Sequence, residues 1–138
     1  MANVFDVAKY ILDSIGGRIS TMKLQKLCYY SQAWTLAWDR ESLFVEDFLR
    51  WDNGPVCKQL FDLHKGEFYI ASAMIPQNFL SATLTDEQIG NIDRVIEDYG
   101  KYSGAELSEI THSEAPWRTT KKDQVISKEA IKNYYSAL

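Results

Sequence analysis

The sequence feature that most constrains the fold is a segment after Ser20 that is apolar around much of its helical circumference. One stripe follows the i, i+3, i+4 and i+7 spacing of a helix and consists of Leu24, Leu27, Cys28, Ser31, Trp34 and Trp38. A second set of residues widens this stripe: Tyr29, Tyr30, Ala33 and Ala37. Because a helix that is apolar nearly all round has to be surrounded by other elements, the segment predicts a central helix in a mainly α fold.

Five further segments have the caps and apolar spacing of amphipathic helices. They are residues 4–15 before Gly16-Gly17, a helix that Pro55 opens and Gly66 closes, a helix from the Thr85 capping box to Gly100, a helix after the Ser103 capping box, and a helix that Ser127 caps. In the last of these, Ile131, a tyrosine (Tyr134 or Tyr135) and Leu138 are expected on one face.

Two short segments have the aromatic and branched residues of strands, residues 49–51 and 68–70. Asp52-Asn53-Gly54-Pro55 predicts a turn after the first, with Pro55 at the first position of a helix. Residues 71–84 contain Pro76 and have no clear period, so we expect an irregular connection that still buries Met74, Ile75, Phe79 and Leu80. The predicted fold class is mainly α (α+β), a compact single-domain helical bundle with a small two-stranded β element.

Composition supports one domain, residues 1–138, because 46% hydrophobic residues can form a core at this length. A formal charge of -4 makes nucleic acid an unfavourable partner. Cys28 and Cys57 lack the spacing of a metal site and are expected to be buried thiols. No apolar run approaches the ~18 residues of a membrane helix, and no signal sequence is visible, so we expect no membrane association and a cytoplasmic location.

Few residues are candidates for catalysis. His112-Ser113-Glu114 resembles part of a nucleophile and base arrangement, but no Gly-x-Ser-x-Gly elbow accompanies it, and capping of a helix explains these residues better. With only His64 and His112 available, the sequence predicts no metal site, and without a glycine-rich phosphate loop it predicts no cofactor. Lys23 and Lys26 are expected on a solvated face.

Three separated segments of the chain resemble one family signature. Residues 22–34, MKLQKLCYYSQAW, are similar to the Lys-Leu-Gln-Lys-Leu-x-Tyr-Tyr-x-Gln-x-Trp element of the Panacea domain. Residues 48–56, FLRWDNGPV, resemble its aromatic-x-x-Gly-Pro-Val turn, and residues 107–117, LSEITHSEAPW, resemble its Leu-Ser-x-x-Thr-His-x-x-x-Pro-Trp element. Because all three occur in family order, the chain is identified as a member of the SocA-like antitoxin family, which has phage-associated GepA-like members.

This resemblance implies the antitoxin of a bacterial or prophage-borne toxin–antitoxin pair, a binding module and not an enzyme. Its partner would be a cognate protein toxin encoded by the adjacent gene, and the SocA branch implies delivery of the toxin to a cytoplasmic protease. The chain has no separate DNA-binding segment and no long disordered tail, so neutralisation is expected to use a folded surface.

The motif residues fall into two groups. Those expected to determine the fold are Leu24, Leu27, Tyr30, Trp34, Trp51, Gly54, Pro55, His112 and Pro116. The candidates for partner binding are Gln25, Tyr29, Gln32 and Trp117. The first three share a face of the second helix and suit either a polar network or a partner face, and Trp117, expected in a stiff extended segment, suits either an interface anchor or the core.

A second hypothesis is a phage-associated enzyme or adaptor that uses a polar cleft near His112 and Glu114, with His64 as a further candidate. The two hypotheses differ in what these side chains do. An enzyme requires that they face an open cavity, whereas a binding module allows them to be paired inside the core.

Overall fold

The computed structural model describes residues 1–138 as seven α-helices and five short strands. The helices are α1 Val4–Ile15, α2 Thr21–Asp39, α3 Lys58–His64, α4 Asp86–Tyr99, α5 Gly104–His112, α6 Ala115–Arg118 and α7 Lys128–Ser136. The strands are β1 Arg18–Ser20, β2 Phe48–Trp51, β3 Gly54–Val56, β4 Tyr69–Ala71 and β5 Val125–Ile126. This mainly α fold with small antiparallel sheets confirms the predicted class.

Helix α2 lies at the centre of the molecule and packs against α1, α4, α5 and α7. Every residue from 24 to 33 along it is buried. The apolar circumference predicted this central position, but not the burial of the polar residues. One continuous hydrophobic cluster joins α2 to side chains from α1, α4, α5, α7 and the sheets. No helix in the chain is both long and apolar enough to cross a lipid bilayer.

The helix ends follow the local signals in the sequence. Ser20, Thr85, Ser103 and Ser127 each accept a hydrogen bond from a backbone N–H in the first turn of their helices, and the two predicted capping boxes are present. Gly16 ends α1 with a positive φ of 79°. These helix boundaries are therefore confirmed.

The two predicted strands exist but do not pair with each other. β2 lies between β3 and β5 in a three-stranded antiparallel sheet, whereas β4 pairs with β1 in a separate sheet. Both β1 and β5 are too short to show an alternating pattern, and they become strands because of the neighbours with which they pair.

The prediction for Pro55 was wrong. Pro55 lies in β3 opposite Arg50 of β2, and α3 begins three residues later at Lys58. Gly54, with φ of 111°, turns the chain back antiparallel to β2 instead of into a helix. Because β3 is an edge strand, it tolerates a residue without an N–H.

Other local predictions also need correction. Trp117 lies in the helical turn α6, where Pro116 occupies a first-turn position, and not in an extended segment. Leu138 is 71% exposed, so it is not on the buried face of α7. Residues 71–84 are irregular as expected, with 3-10 turns at Ser72–Met74 and Gln77–Phe79, but only Ile75 among the four expected apolar residues is fully buried.

Candidate functional site

Gln25 on α2 joins that helix to α3 through a buried hydrogen-bond network. Its Oε1 accepts from the Cys57 backbone N–H at 2.9 Å, and its Nε2 donates to the Cys57 carbonyl at 3.2 Å. The same Nε2 lies 3.0 Å from Nε2 of His64. The side chain is thus fully bonded inside the fold, with only 2% of its surface exposed.

The Gln25 network also fixes the protonation of His64. Because the Cys57 N–H requires the amide oxygen of Gln25, the amide NH2 faces the imidazole, and His64 Nε2 must accept. The ring is therefore the neutral tautomer with its proton on Nδ1. Burial lowers the pKa of His64, and the nearby Lys26 lowers it further.

Tyr29 and Gln32 are also buried, each about 1% exposed. Gln32 accepts a hydrogen bond from the Leu43 N–H and donates one to the Phe44 carbonyl, both at 2.7 Å, and so fixes the chain that follows α2. The Tyr29 hydroxyl lies 3.2 Å from that of Tyr135. Gln25, Tyr29 and Gln32 therefore form buried polar links, and a role for them in partner binding stays a prediction.

Glu114 is partly buried and is hydrogen-bonded inside the fold. Its Oε1 accepts hydrogen bonds from the hydroxyls of Tyr30 at 2.6 Å and Tyr135 at 2.8 Å. Burial raises the pKa of this carboxyl, and the two hydroxyls oppose that rise. His112 stacks on Trp117 with 4.1 Å between ring centroids, and its Nε2 is buried without a hydrogen-bond partner. Neither residue lines the largest pocket.

Trp117 connects α6 to strand β2. Its indole N–H donates to the Trp51 carbonyl at 2.8 Å, and the Arg50 guanidinium lies 3.7 Å from the centre of the indole ring. With His112 stacked on the ring, Trp117 is partly buried, and its contacts join α6 to β2. Pro116 beside it is buried.

The largest pocket of the molecule has a volume of about 470 Å³ and lies between α2, α3 and the β2–β3 turn. We call it the Lys26 pocket. Its walls are Thr21, Met22, Gln25, Lys26, Trp51, Asp52, Asn53, Val56, Phe61, His64, Lys122 and Asp123. Two of the three family-like segments therefore meet around one cavity.

Lys26 was expected on a solvated face, and that prediction was wrong, since only 1% of its surface is exposed. Burial alone lowers the pKa of its amine to about 7. The end of its side chain lies against Gly54, where an added Cβ would be 2.7 Å from Cε of Lys26. The signal in the sequence was that its helical neighbours Tyr29 and Tyr30 belong to the apolar circumference.

A second surface feature is an exposed group of large side chains on the β1–β4 sheet, which we call the aromatic patch: Arg18, Phe68, Tyr69 and Met74. Phe68 is 75% exposed, Tyr69 44% and Met74 39%. The Arg18 guanidinium lies 4.3 Å from the centre of the Tyr69 ring. This patch was not predicted from the sequence, although two adjacent aromatic residues in a short strand cannot both face the core.

Comparison of the chain with curated proteins and with solved structures gives no match. A family model does match: that of the antitoxin SocA-like, Panacea domain, over residues 24–118. The matched region contains α2, the Lys26 pocket segments from β2 to α3, and the α5–α6 segment with Trp117. Because this match covers more than half of the chain, the protein belongs to the SocA-like antitoxin family with a Panacea domain.

Proposed function

We propose that this chain is an antitoxin that neutralises a cognate protein toxin by binding it directly through a folded surface, in the cytoplasm. The observation that carries the proposal, beyond family membership, is the aromatic patch. A soluble domain that exposes adjacent Phe, Tyr, Met and Arg side chains has the composition of a protein interface rather than of an ordinary surface.

The patch is rigidly supported, which favours recognition of one partner. Strand β4 pairs with β1, and the Thr21 N–H donates to the Phe68 carbonyl at 3.0 Å. Ile70, between the exposed residues and the core, is fully buried. A partner would thus meet side chains whose backbone is already ordered, so little conformational entropy would be lost on binding.

The backbone of the patch offers a second means of attachment. The β1–β4 sheet has only two strands, so each strand has an edge without a strand partner. An extended segment of a toxin could add to such an edge through backbone hydrogen bonds while its side chains contact Phe68 and Tyr69.

Two details of the proposal follow from the family. The toxin is expected to be encoded by the adjacent gene, and after binding it could be presented to a cytoplasmic protease. Trp117 is a further candidate contact, because part of its ring is exposed beside Arg50, although its main contacts lie inside the fold.

The experiment is a binding measurement with purified toxin and variants of the patch. We expect Phe68→Ala with Tyr69→Ala to weaken the complex at least tenfold with little change in stability, because both rings are exposed. Val45→Ala is the matched control, since Val45 is 66% exposed and outside the patch. Equal affinity of the double variant and the unchanged protein would exclude this surface.

The lifetime of the toxin in cells distinguishes direct inhibition from delivery to a protease. Direct inhibition predicts that the toxin persists in a stable complex with the antitoxin. Delivery to a protease predicts that the toxin's half-life shortens when the antitoxin is present and that the complex accumulates only when proteolysis is blocked.

A further inference from the structure

The Lys26 pocket contains a buried amine that has no partner within the chain. Lys26 makes no hydrogen bond or ion pair, and burial is the only influence on the pKa of its amine. A buried ammonium in a folded protein is normally paired with a carboxylate or with several oxygen acceptors. A ligand that enters through the pocket can supply the missing partner.

The charges around the pocket favour an anion near Lys26. His64 is neutral, as its bond to Gln25 requires. Asp52 at the rim lies 3.5 Å from Lys122 and 4.0 Å from Arg50, so its charge is already balanced. Asp123 is the remaining acidic group in the lining and is exposed at the surface, where water screens it.

Helix α2 adds to this preference. Thr21 and Met22, in its first turn, line the pocket, and no acidic side chain occupies that turn. The positive end of the helix dipole is thus not neutralised by the chain itself.

The rest of the wall is apolar and aromatic. Trp51 and Phe61 meet edge to face with 4.9 Å between ring centroids, and Val56 and Met22 lie beside them in the lining. A volume of about 470 Å³ is within the range of small-ligand sites. An occupant would therefore combine one anionic group with a flat or branched apolar body.

We propose that the Lys26 pocket binds a carboxylate, with the carboxylate oxygens on the Lys26 amine and the apolar body of the ligand against Trp51 and Phe61. A free small acid and the chain-terminal carboxylate of a bound protein present the same chemistry to this pocket. The proposal does not depend on the antitoxin function, because it follows from the unpaired cation and the shape around it.

Proton linkage gives this site a signature that a surface lysine lacks. The amine has a pKa of about 7 in the empty pocket, and a bound carboxylate holds it in the charged form. Above that pH, binding takes up one proton, so affinity should fall roughly tenfold per pH unit between about pH 7.5 and 8.5.

The test uses nuclear magnetic resonance titration of the full chain, monitored at the indole N–H of Trp51. The probes are benzoate as a free acid, N-acetylphenylalanine as a stand-in for a chain terminus, and benzamide as the uncharged control. We expect one or both acids to bind with the pH dependence given above, and Lys26→Met to weaken binding at least tenfold while Lys122→Met has a small effect.

Tighter binding of N-acetylphenylalanine would favour a chain terminus as the source of the carboxylate, and tighter binding of the smaller benzoate would favour a free acid. The proposal is overturned if neither acid shifts the Trp51 signal, if benzamide binds as well as benzoate, or if Lys122→Met rather than Lys26→Met abolishes binding. The pH dependence of acid binding by the unchanged protein tests the same point without a variant, because a flat profile would exclude Lys26 as the binding group.

Discussion

Lys26 is the residue whose burial has the clearest consequence for stability. The pKa of its amine is about 7 in the fold and near 10.5 in an unfolded chain. Between these values the unfolded state binds the extra proton, so stability rises with pH, and the penalty of burying the charge is fully present below about pH 7.

We therefore expect the free energy of unfolding to rise by about 1 kcal/mol between pH 7 and pH 8. Lys26→Met, which keeps the apolar stem, should be more stable by about 2 kcal/mol or more at pH 7 and should lose this pH dependence. Urea unfolding followed by tryptophan fluorescence measures both. A variant that is less stable at pH 7 would mean that the ammonium has a partner inside the fold.

Gly54 is the residue whose replacement should disturb the pocket most directly. It has φ of 111°, and a Cβ there would lie 2.7 Å from Lys26 Cε and 2.8 Å from Thr111 Oγ1. Gly54→Ala should therefore lower stability by about 2 to 4 kcal/mol.

The matched control is Gly90→Ala in α4, where an added Cβ meets no atom within 4 Å. That change should raise stability by about 0.5 to 1 kcal/mol, because alanine favours helix. Thermal unfolding measures the stability of both variants. Equal changes in stability would contradict the close approach of the Lys26 and Thr111 side chains to Gly54.

Helices and strands could be predicted from the sequence where their signals lie within a few residues of one another. They could not where distant residues determine them. Caps such as Ser103 with Glu106 involve residues three apart, so α4, α5 and α7 have local signals. Pro55 had an equally strong helix-start signal but joins β3, because pairing with β2 determines its place. The Lys26 pocket likewise depends on distant segments, because α2, α3 and the β2–β3 turn meet to form it.

Trp117 holds helix α6 against strand β2. Trp117 contacts His112 and Arg50 and bonds the Trp51 carbonyl. We expect Trp117→Ala to lower stability by about 2 to 3 kcal/mol, since it removes a large packed ring and leaves a carbonyl unpaired.

The comparison for that variant is Phe68→Ala, which removes a ring that is 75% exposed and should change stability by less than about 0.5 kcal/mol. Chemical denaturation measures both. If Trp117→Ala lowered stability as little as Phe68→Ala, the ring would not hold α6 against β2. That result would favour a role as an interface anchor.

In the whole molecule, the buried family-like residues and the aromatic patch occupy different places. Buried motif residues such as Leu24, Leu27 and Tyr30 hold α2 at the centre of the core. The aromatic patch lies on β1, β4 and the residues on either side of β4, outside the three family-like segments. A fixed core with a separate exposed surface suits a domain whose relatives could meet different partners.

The candidate site could be predicted only in part for the same reason. The sequence indicated Gln25, Tyr29 and Gln32 as polar residues on one face, and the structure buries them in hydrogen bonds. A cavity arises from three distant segments, so no local pattern in the sequence could indicate that Lys26 and His64 meet there.

The most direct test of the central claim is growth of cells that express the adjacent gene, with and without this chain. We predict that the neighbour alone arrests growth and that this chain restores it, whereas the Phe68→Ala, Tyr69→Ala variant, expressed at the same level, restores it poorly. Full rescue by that variant would contradict binding through the aromatic patch. A neighbour that is not toxic, or toxicity that this chain leaves unchanged, would contradict the antitoxin function for this pair.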